Sequence, residues 1–155
     1  MSDDPEVRGE VQSEGEPVQQ SEEQDWFLAQ LVKWANKQTM KPNITLFLGG
    51  MLVSGTLISG KEYFNEFGDA IDTALSRRFG EKPTGEFRQP FSVLAGIYDE
   101  QTGDKDTDDP PPSYIHLRLR SIRICGAQRV RSETGILWRG RLSQVDGFFL
   151  GEIDE

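Results

Sequence analysis

Apolar and polar residues along Ile44–Gly60 fall into the pattern of two strands. Ile44, Leu46 and Leu48 alternate with Thr45 and Phe47, so one face is fully apolar and the other partly so. Gly49-Gly50 is a two-residue hairpin signal, because both glycines accept positive φ without penalty. Met51 to Ser59 returns with Val53, Leu57 and Ser59 on one parity and Leu52, Ser54, Thr56 and Ile58 on the other. Gly55, inside that strand, predicts a sharp bend or a close backbone approach. Bending of this kind is how a small sheet closes into a barrel. Gly49, Gly50, Gly55, Gly60 and, later, Gly147 are read as structural turn positions.

Helical spacing flanks this hairpin. Upstream, Ser21-Glu22-Glu23-Gln24 has the form of a capping box and predicts a helix from Glu22 to about Lys37. Phe27, Leu31 and Ala35 line its apolar stripe, widened by Leu28, Val32 and Trp34, with Trp26 at the edge. Pro42 stops it. Downstream, Phe64, Phe67, Ile71, Leu75 and Phe79 recur at helical spacing, and Gly80 stands where a C-cap belongs. This predicts a helix over Lys61–Phe79. Phe91 to Tyr98 reads as a short strand.

The last third is strand-like. Tyr114–Arg120 alternates, with Ile115, Leu117 and Leu119 expected inward and His116, Arg118 and Arg120 outward. Ile122 and Ile124 begin a further alternation with Arg123 opposite. Arg129 and Arg131 flank a turn closed by Glu133 to Gly135. Strands over Ile136–Leu142 and Phe148–Ile153 follow, joined by Asp146-Gly147 as a second hairpin signal.

Charge changes the picture at two places. Residues 1–25 carry nine acids against the single Arg8, with Val7, Val11 and Val18 as the only aliphatics beyond Met1. Such a segment cannot offset the entropy of ordering, so 1–22 is read as a disordered acidic tail and 23–155 as one folded domain. The tail is either a solubility device or an arm for basic surfaces on partners or sister copies. Asp99–Pro112 holds six acids, one lysine and three consecutive prolines, and reads as an acidic loop within the domain. Asp104, Asp106 and Asp108 have alternate calcium-loop spacing, but the turn glycine and terminal glutamate of an EF-hand are missing. Against a net charge of −9, Tyr114–Ser143 holds seven arginines and one glutamate. Arg118, Arg120, Arg123, Arg139 and Arg141 are the candidate partner-binding stripe, with Trp26 and Trp138 as aromatic candidates. Trp138 shares parity with Ile136, so it is equally a core candidate. Segregated charge of this kind favours self-association that weakens with salt.

Little points to catalysis. His116 is the sole histidine, which disfavours a three-ligand zinc site, and Cys125 is the sole cysteine, which excludes an intramolecular disulfide. A Cys-His pair would need both on one face, whereas Cys125 sits at a turn. Gly60-Lys61-Glu62 lacks the spacing of a phosphate loop. No cofactor is expected. The acidic N-terminus shows no signal-peptide pattern and the Ile44–Ile58 run is too short to span a bilayer, so a cytoplasmic setting is expected.

Two resemblances add to this reading. The first helix, Ile44-Thr45-Leu46 through Gly55-Thr56-Leu57-Ile58, and Tyr63-Phe64-Asn65 resemble the first motif of Sm-like proteins. That resemblance implies an N-terminal helix and a five-stranded bent barrel binding RNA. Ile122-Arg123-Ile124-Cys125-Gly126 stands in a different frame from the second Sm motif, and the Lys61–Phe79 insertion departs from the pattern. From Gln24 to Gly151 the chain also resembles the gas vesicle accessory protein GvpU family. The Trp26–Asn36 helix, Gly49-Gly50, Val53–Gly60 with Tyr63-Phe64, Tyr114–Leu117 and Trp138–Phe148 carry it. This implies a non-catalytic cytoplasmic protein acting in vesicle assembly or clustering, with vesicle shell or other gas vesicle proteins as partners. The expected fold is α+β: a small, strongly bent antiparallel sheet or partly open Sm-like barrel with an N-terminal helix and a second helical insertion.

Overall fold

The computed structural model describes residues 24–99, 112–124, 127 and 129–152. The acidic tail, Asp104, Asp106 and Asp108 of the acidic loop, and Cys125 lie outside these. Five strands form one antiparallel sheet: β1 (Asn43–Leu48), β2 (Met51–Ile58), β3 (Tyr114–Ile124), β4 (Arg129–Arg141) and β5 (Gly147–Leu150). Their order across it is β4-β3-β2-β1-β5. The edge strands β4 and β5 do not pair with each other, so the sheet is open: of the two expected forms it is the antiparallel sheet, not closed into a barrel.

β1 and β2 form the predicted hairpin. Leu48 faces Met51 across Gly49 and Gly50, whose φ values are 50° and 87°. Asp146 fastens this turn by accepting from Gly49 N at 2.8 Å. The second predicted hairpin is corrected. Asp146-Gly147 does not fold β5 back on β4; β5 crosses the molecule and pairs with β1, Phe47 opposite Gly147 and Ile44 opposite Leu150. Gly147 is a strand residue there, not a turn. The dipeptide signal reports local φ freedom, and pairing along the edge of β1 overrides it.

Helix α1 (Trp26–Asn36) covers one face of the sheet. Leu28, Leu31, Val32 and Ala35 pack on Ile44, Leu46, Val53, Leu57, Ile115, Leu117 and Leu119. Burial of each large aliphatic side chain stabilises by about 1.5–3 kcal/mol. The helix begins later than its capping box predicts. Asp25 is the N-cap, accepting from Phe27 N at 2.8 Å and Leu28 N at 3.1 Å. Phe27 and Trp34, expected in the apolar stripe, lie partly exposed on its flank.

The other face carries α2 (Gly60–Arg78) and α3 (Gln89–Gly96). Ser59 caps α2, accepting from Glu62 N at 3.0 Å. Gly80, at φ 70°, closes it as expected, with Gly80 N donating to Arg77 O and Glu81 N to Ser76 O. Asp72 anchors the return loop by accepting from Gly85 N and Phe87 N. The segment expected as a strand, Phe91–Tyr98, is helical through Gly96. Pro90 in the first turn suits a helix start, and Phe91 packs at a tilt against Phe67 of α2 instead of joining the sheet.

Gly55 and Gly60 are tight positions, for different reasons. A Cβ on Gly55 would lie 2.5 Å from Arg118 O and 2.8 Å from Leu119 Cα. The expected close approach is therefore to the backbone of β3. One on Gly60 would enter the Tyr98 ring. Gly60 is the first residue of α2 and no turn; its N–H donates to the buried Asn36 Oδ1 at 3.0 Å, tying the end of α1 to the start of α2.

Gly55→Ala should lower unfolding free energy by about 1–3 kcal/mol, since neither strand backbone can yield without breaking the ladder. Gly147→Ala, with nothing within 4 Å of its added Cβ, should stay within about 0.5 kcal/mol of the parent. Urea unfolding of both checks this; equal stability of the Gly55 variant and the parent would refute the close approach.

Candidate interaction surface

The face opposite α1 is set by an irregularity in β3. Pairing with β2 runs Gly55 opposite Leu119 and then Ser54 opposite Ser121, leaving Arg120 as an extra residue. Leu119 and Ile122 both turn to the core as a result, while His116, Arg118, Ser121 and Arg123 share the other face. β4 follows with a longer irregularity. Arg131 pairs with Ser121 and Ile136 with Leu119, so residues 132–135 stand opposite Arg120 alone. Gly135 takes φ 81° in this bulge, Ser132 Oγ accepts from its N–H, and Arg120 donates to Glu133 O at 3.3 Å. The turn read at Glu133–Gly135 is thus a bulge within one long strand.

α2 and α3 cover half of this face. His116, expected outward, is 1% exposed. Its ring lies 4.8 Å from Tyr63, 6.0 Å from Phe64 and 5.8 Å from Tyr98 by centroids. Strand alternation assigned it correctly to the face away from α1; it could not reveal that a second helical layer buries that face. Neither ring nitrogen has a hydrogen-bond partner. Burial, and secondarily the charge of Arg139, lower its pKa from 6.5 to about 4. Burial likewise raises that of Tyr98, against the opposing influence of Arg139.

The structure separates the arginines predicted as one stripe. Arg118 is bound to α2: it donates to Glu62 Oε1 at 2.9 Å and to Glu66, and Lys41 pairs with Glu62 at 2.5 Å. Arg139 lies with its guanidinium carbon 3.5 Å from the Tyr114 ring centroid and 6.0 Å from that of Phe64. Arg120 is exposed at the bulge. Arg141 is exposed opposite Tyr114. Arg123 stands on the half of the face away from α2, and there the register brings it two companions the predicted stripe omits: Arg129 directly opposite, and Arg131 beside Ser121. The i, i+2 spacing of Arg129 and Arg131 was the available signal, masked by their reading as turn flanks. Trp26 is 80% exposed and tilts against Phe27, which in turn meets Phe148 of β5. Trp138 packs, half-buried, against the core beneath α1.

The arrangement defines an open α+β sheet module with helices on both faces and a basic, partly uncovered sheet surface. Among the described residues no group of three His, Cys, Asp or Glu could hold a metal ion, and no helix is long and apolar enough to cross a membrane. A family model described as gas vesicle protein GvpU-like matches residues 25–153, and the chain belongs to that family. No curated protein matches it, and no solved structure does.

A buried neutral histidine has a pH signature. The unfolded chain protonates His116 near 6.5 and the folded chain near 4. Between these values the unfolded state binds more protons, so stability is full above 6.5 and falls as pH drops, by about 1.4 kcal/mol per unit. The rings against it are Tyr63 and Phe64 of α2 and Tyr98 after α3, and the charge acting on it is that of Arg139 of β4. In urea unfolding at about pH 7 and about pH 5, His116→Phe should lose less stability on acidification than the parent. Equal losses would refute a neutral, desolvated ring.

Proposed function

We propose that this protein is a non-catalytic gas vesicle accessory protein that acts in vesicle assembly or clustering through protein–protein contacts and self-association. The observation that carries this reading is the family match over nearly the whole sheet-and-helix unit. The segregated charge supports it: an acidic chain of net charge −9 gathers arginines on β3 and β4. Its partners in this reading are vesicle shell proteins, other gas vesicle proteins and further copies of itself, met in the cytoplasm at the vesicle surface.

The contact residues in this reading are exposed Arg120 and Arg141 and half-buried Arg123, together with exposed Trp26. Arg118 holds α2 through Glu62 and Glu66, and exposed Arg139 lies over the Tyr114 ring. Trp138 supports the core from the other face.

Purified protein should co-float with intact gas vesicles, and the bound fraction should fall from about 0.05 to about 0.5 M salt as exposed charges are screened. Replacing Arg120, Arg123 and Arg141 by Ser should abolish flotation, whereas Arg77→Ser/Arg78→Ser on α2 should leave it intact. RNA binding without vesicle association would overturn the reading in favour of an Sm-like role.

A further inference from the structure

Helix α3 is apolar on two sides, and the fold covers one of them. On the inward side Phe91 meets Phe67 at 5.2 Å by ring centroids, Ala95 is buried, and Tyr98 meets Phe64 at 6.1 Å. On the outward side Pro90, Val93, Leu94 and Ile97 form the i, i+3, i+4, i+7 stripe of a helix that packs on another. Val93 is 67% exposed, Leu94 39% and Ile97 57%. Alone among the described α-helices, α3 holds no charged residue. A helix apolar all round belongs in an interior. Nor can α3 roll to hide the stripe, because it is seated closely on α2: a Cβ on Gly68 would lie 3.0 Å from Phe91 Cβ.

The two long segments outside the described residues do not supply a cover. Residues 100–111 contain no aliphatic or aromatic side chain apart from Pro110 and Pro111, and residues 1–23 hold eight acids against Met1, Val7, Val11 and Val18. The charges at the ends of the stripe fit a second copy instead. Arg88, paired with Asp69 at 3.2 Å, stands at its start, and Asp99, paired with Lys61 at 2.5 Å, stands just past its end. Two such helices laid antiparallel about a two-fold axis bring Arg88 of each toward Asp99 of the other, and Asp69 toward Lys61. A parallel pair would set Arg88 against Arg88 and Asp99 against Asp99, which is repulsive. We infer that the Pro90, Val93, Leu94 and Ile97 face of α3 is a contact between two copies of this chain, packed antiparallel with Val93 and Leu94 nearest the two-fold axis. This rests on the self-association reading above and gives it an address. Apolar burial supplies the attraction, and the end charges fix the direction. A patch of a few hundred Å² lies below the about 800 Å² per partner of a stable interface, so the contact is weak and reversible.

The test is disulfide trapping, which registers weak contacts, in a Cys125→Ser background without vesicles. Val93→Cys, close to the two-fold axis, should form a linked dimer at least about tenfold faster than Arg77→Cys on α2. Ile97→Cys should link slowly, because an antiparallel pair sets its counterpart about 10 Å away along the helix axis. Sedimentation equilibrium of the untrapped chain should show a dimer whose dissociation constant rises at least about tenfold in Val93→Ser/Ile97→Ser. Both positions are exposed, and Val93→Ser alone covers the case in which the double variant fails to fold. No association up to about 1 mM, unchanged association of the serine variants, or equal trapping at positions 93 and 97 would each overturn the inference. So would lost vesicle flotation in the serine variants with self-association unchanged, which would assign the stripe to a vesicle protein. Failure of the parent to float with vesicles while the trapped dimer still forms would sink only the vesicle reading.

Discussion

The close passage of Gly55 under the backbone of β3 is the constraint on which the sheet's two faces depend. With hydrogen in place of a side chain, β2 comes against Arg118 O, and the pairing slips by one residue just beyond it. That slip flips the alternation of β3. Leu119 and Ile122, three apart, both reach the core under α1, and Ser121 and Arg123 return to the face that holds His116 and Arg118. A regular strand would have sent Ile122 toward α2 and Arg123 into the aliphatic core, where an unpaired charge is costly. The bulge in β4 at residues 132–135 is its counterpart, and it carries Arg129 and Arg131 onto the same face as Arg123.

That face is then divided by charge as well as by cover. Glu62 and Glu66 of α2 take Arg118, Lys41 joins Glu62, and the aromatic rings of α2 close over His116. The covered half is held by apolar burial with a charged border, and the other half keeps arginines beside buried hydroxyls. Arg139 marks the outer boundary on β4, its charge spread over the Tyr114 ring. A single run of arginines in the sequence therefore has two physical roles, set by whether a helix lies above each residue.

Much of the fold was legible, and what was missed has a common cause. The hairpin at Gly49-Gly50, the C-cap at Gly80, the inward set Ile115, Leu117 and Leu119, and the close approach at Gly55 all follow from local rules of φ, capping and alternation. The failures involve tertiary competition. Phe91–Tyr98 alternates like a strand, yet its partner is Phe67 on a helix. Asp146-Gly147 has the chemistry of a hairpin, yet the open edge of β1 offers Leu46 and Ile44 as partners for Phe148 and Leu150. Periodicity placed His116 on the correct face but carries no information about a helical layer above it. The convergence of Arg123, Arg129 and Arg131 was hidden because a bulge cannot be seen from alternation alone.

The crossing of β5 to β1 also bears on the order in which the molecule can be made. Thr45 donates to Gly151 O across a separation of 106 residues, and Gly151 N donates to Asn43 O at 2.7 Å. One edge of the sheet is thus sealed by a strand made about a hundred residues after the strand it pairs with. Until β5 has been made, β1 presents an unsatisfied row of backbone groups beside Phe47, and such an edge is where chains join wrongly. Contacts of such long range make that closing step intrinsically slow.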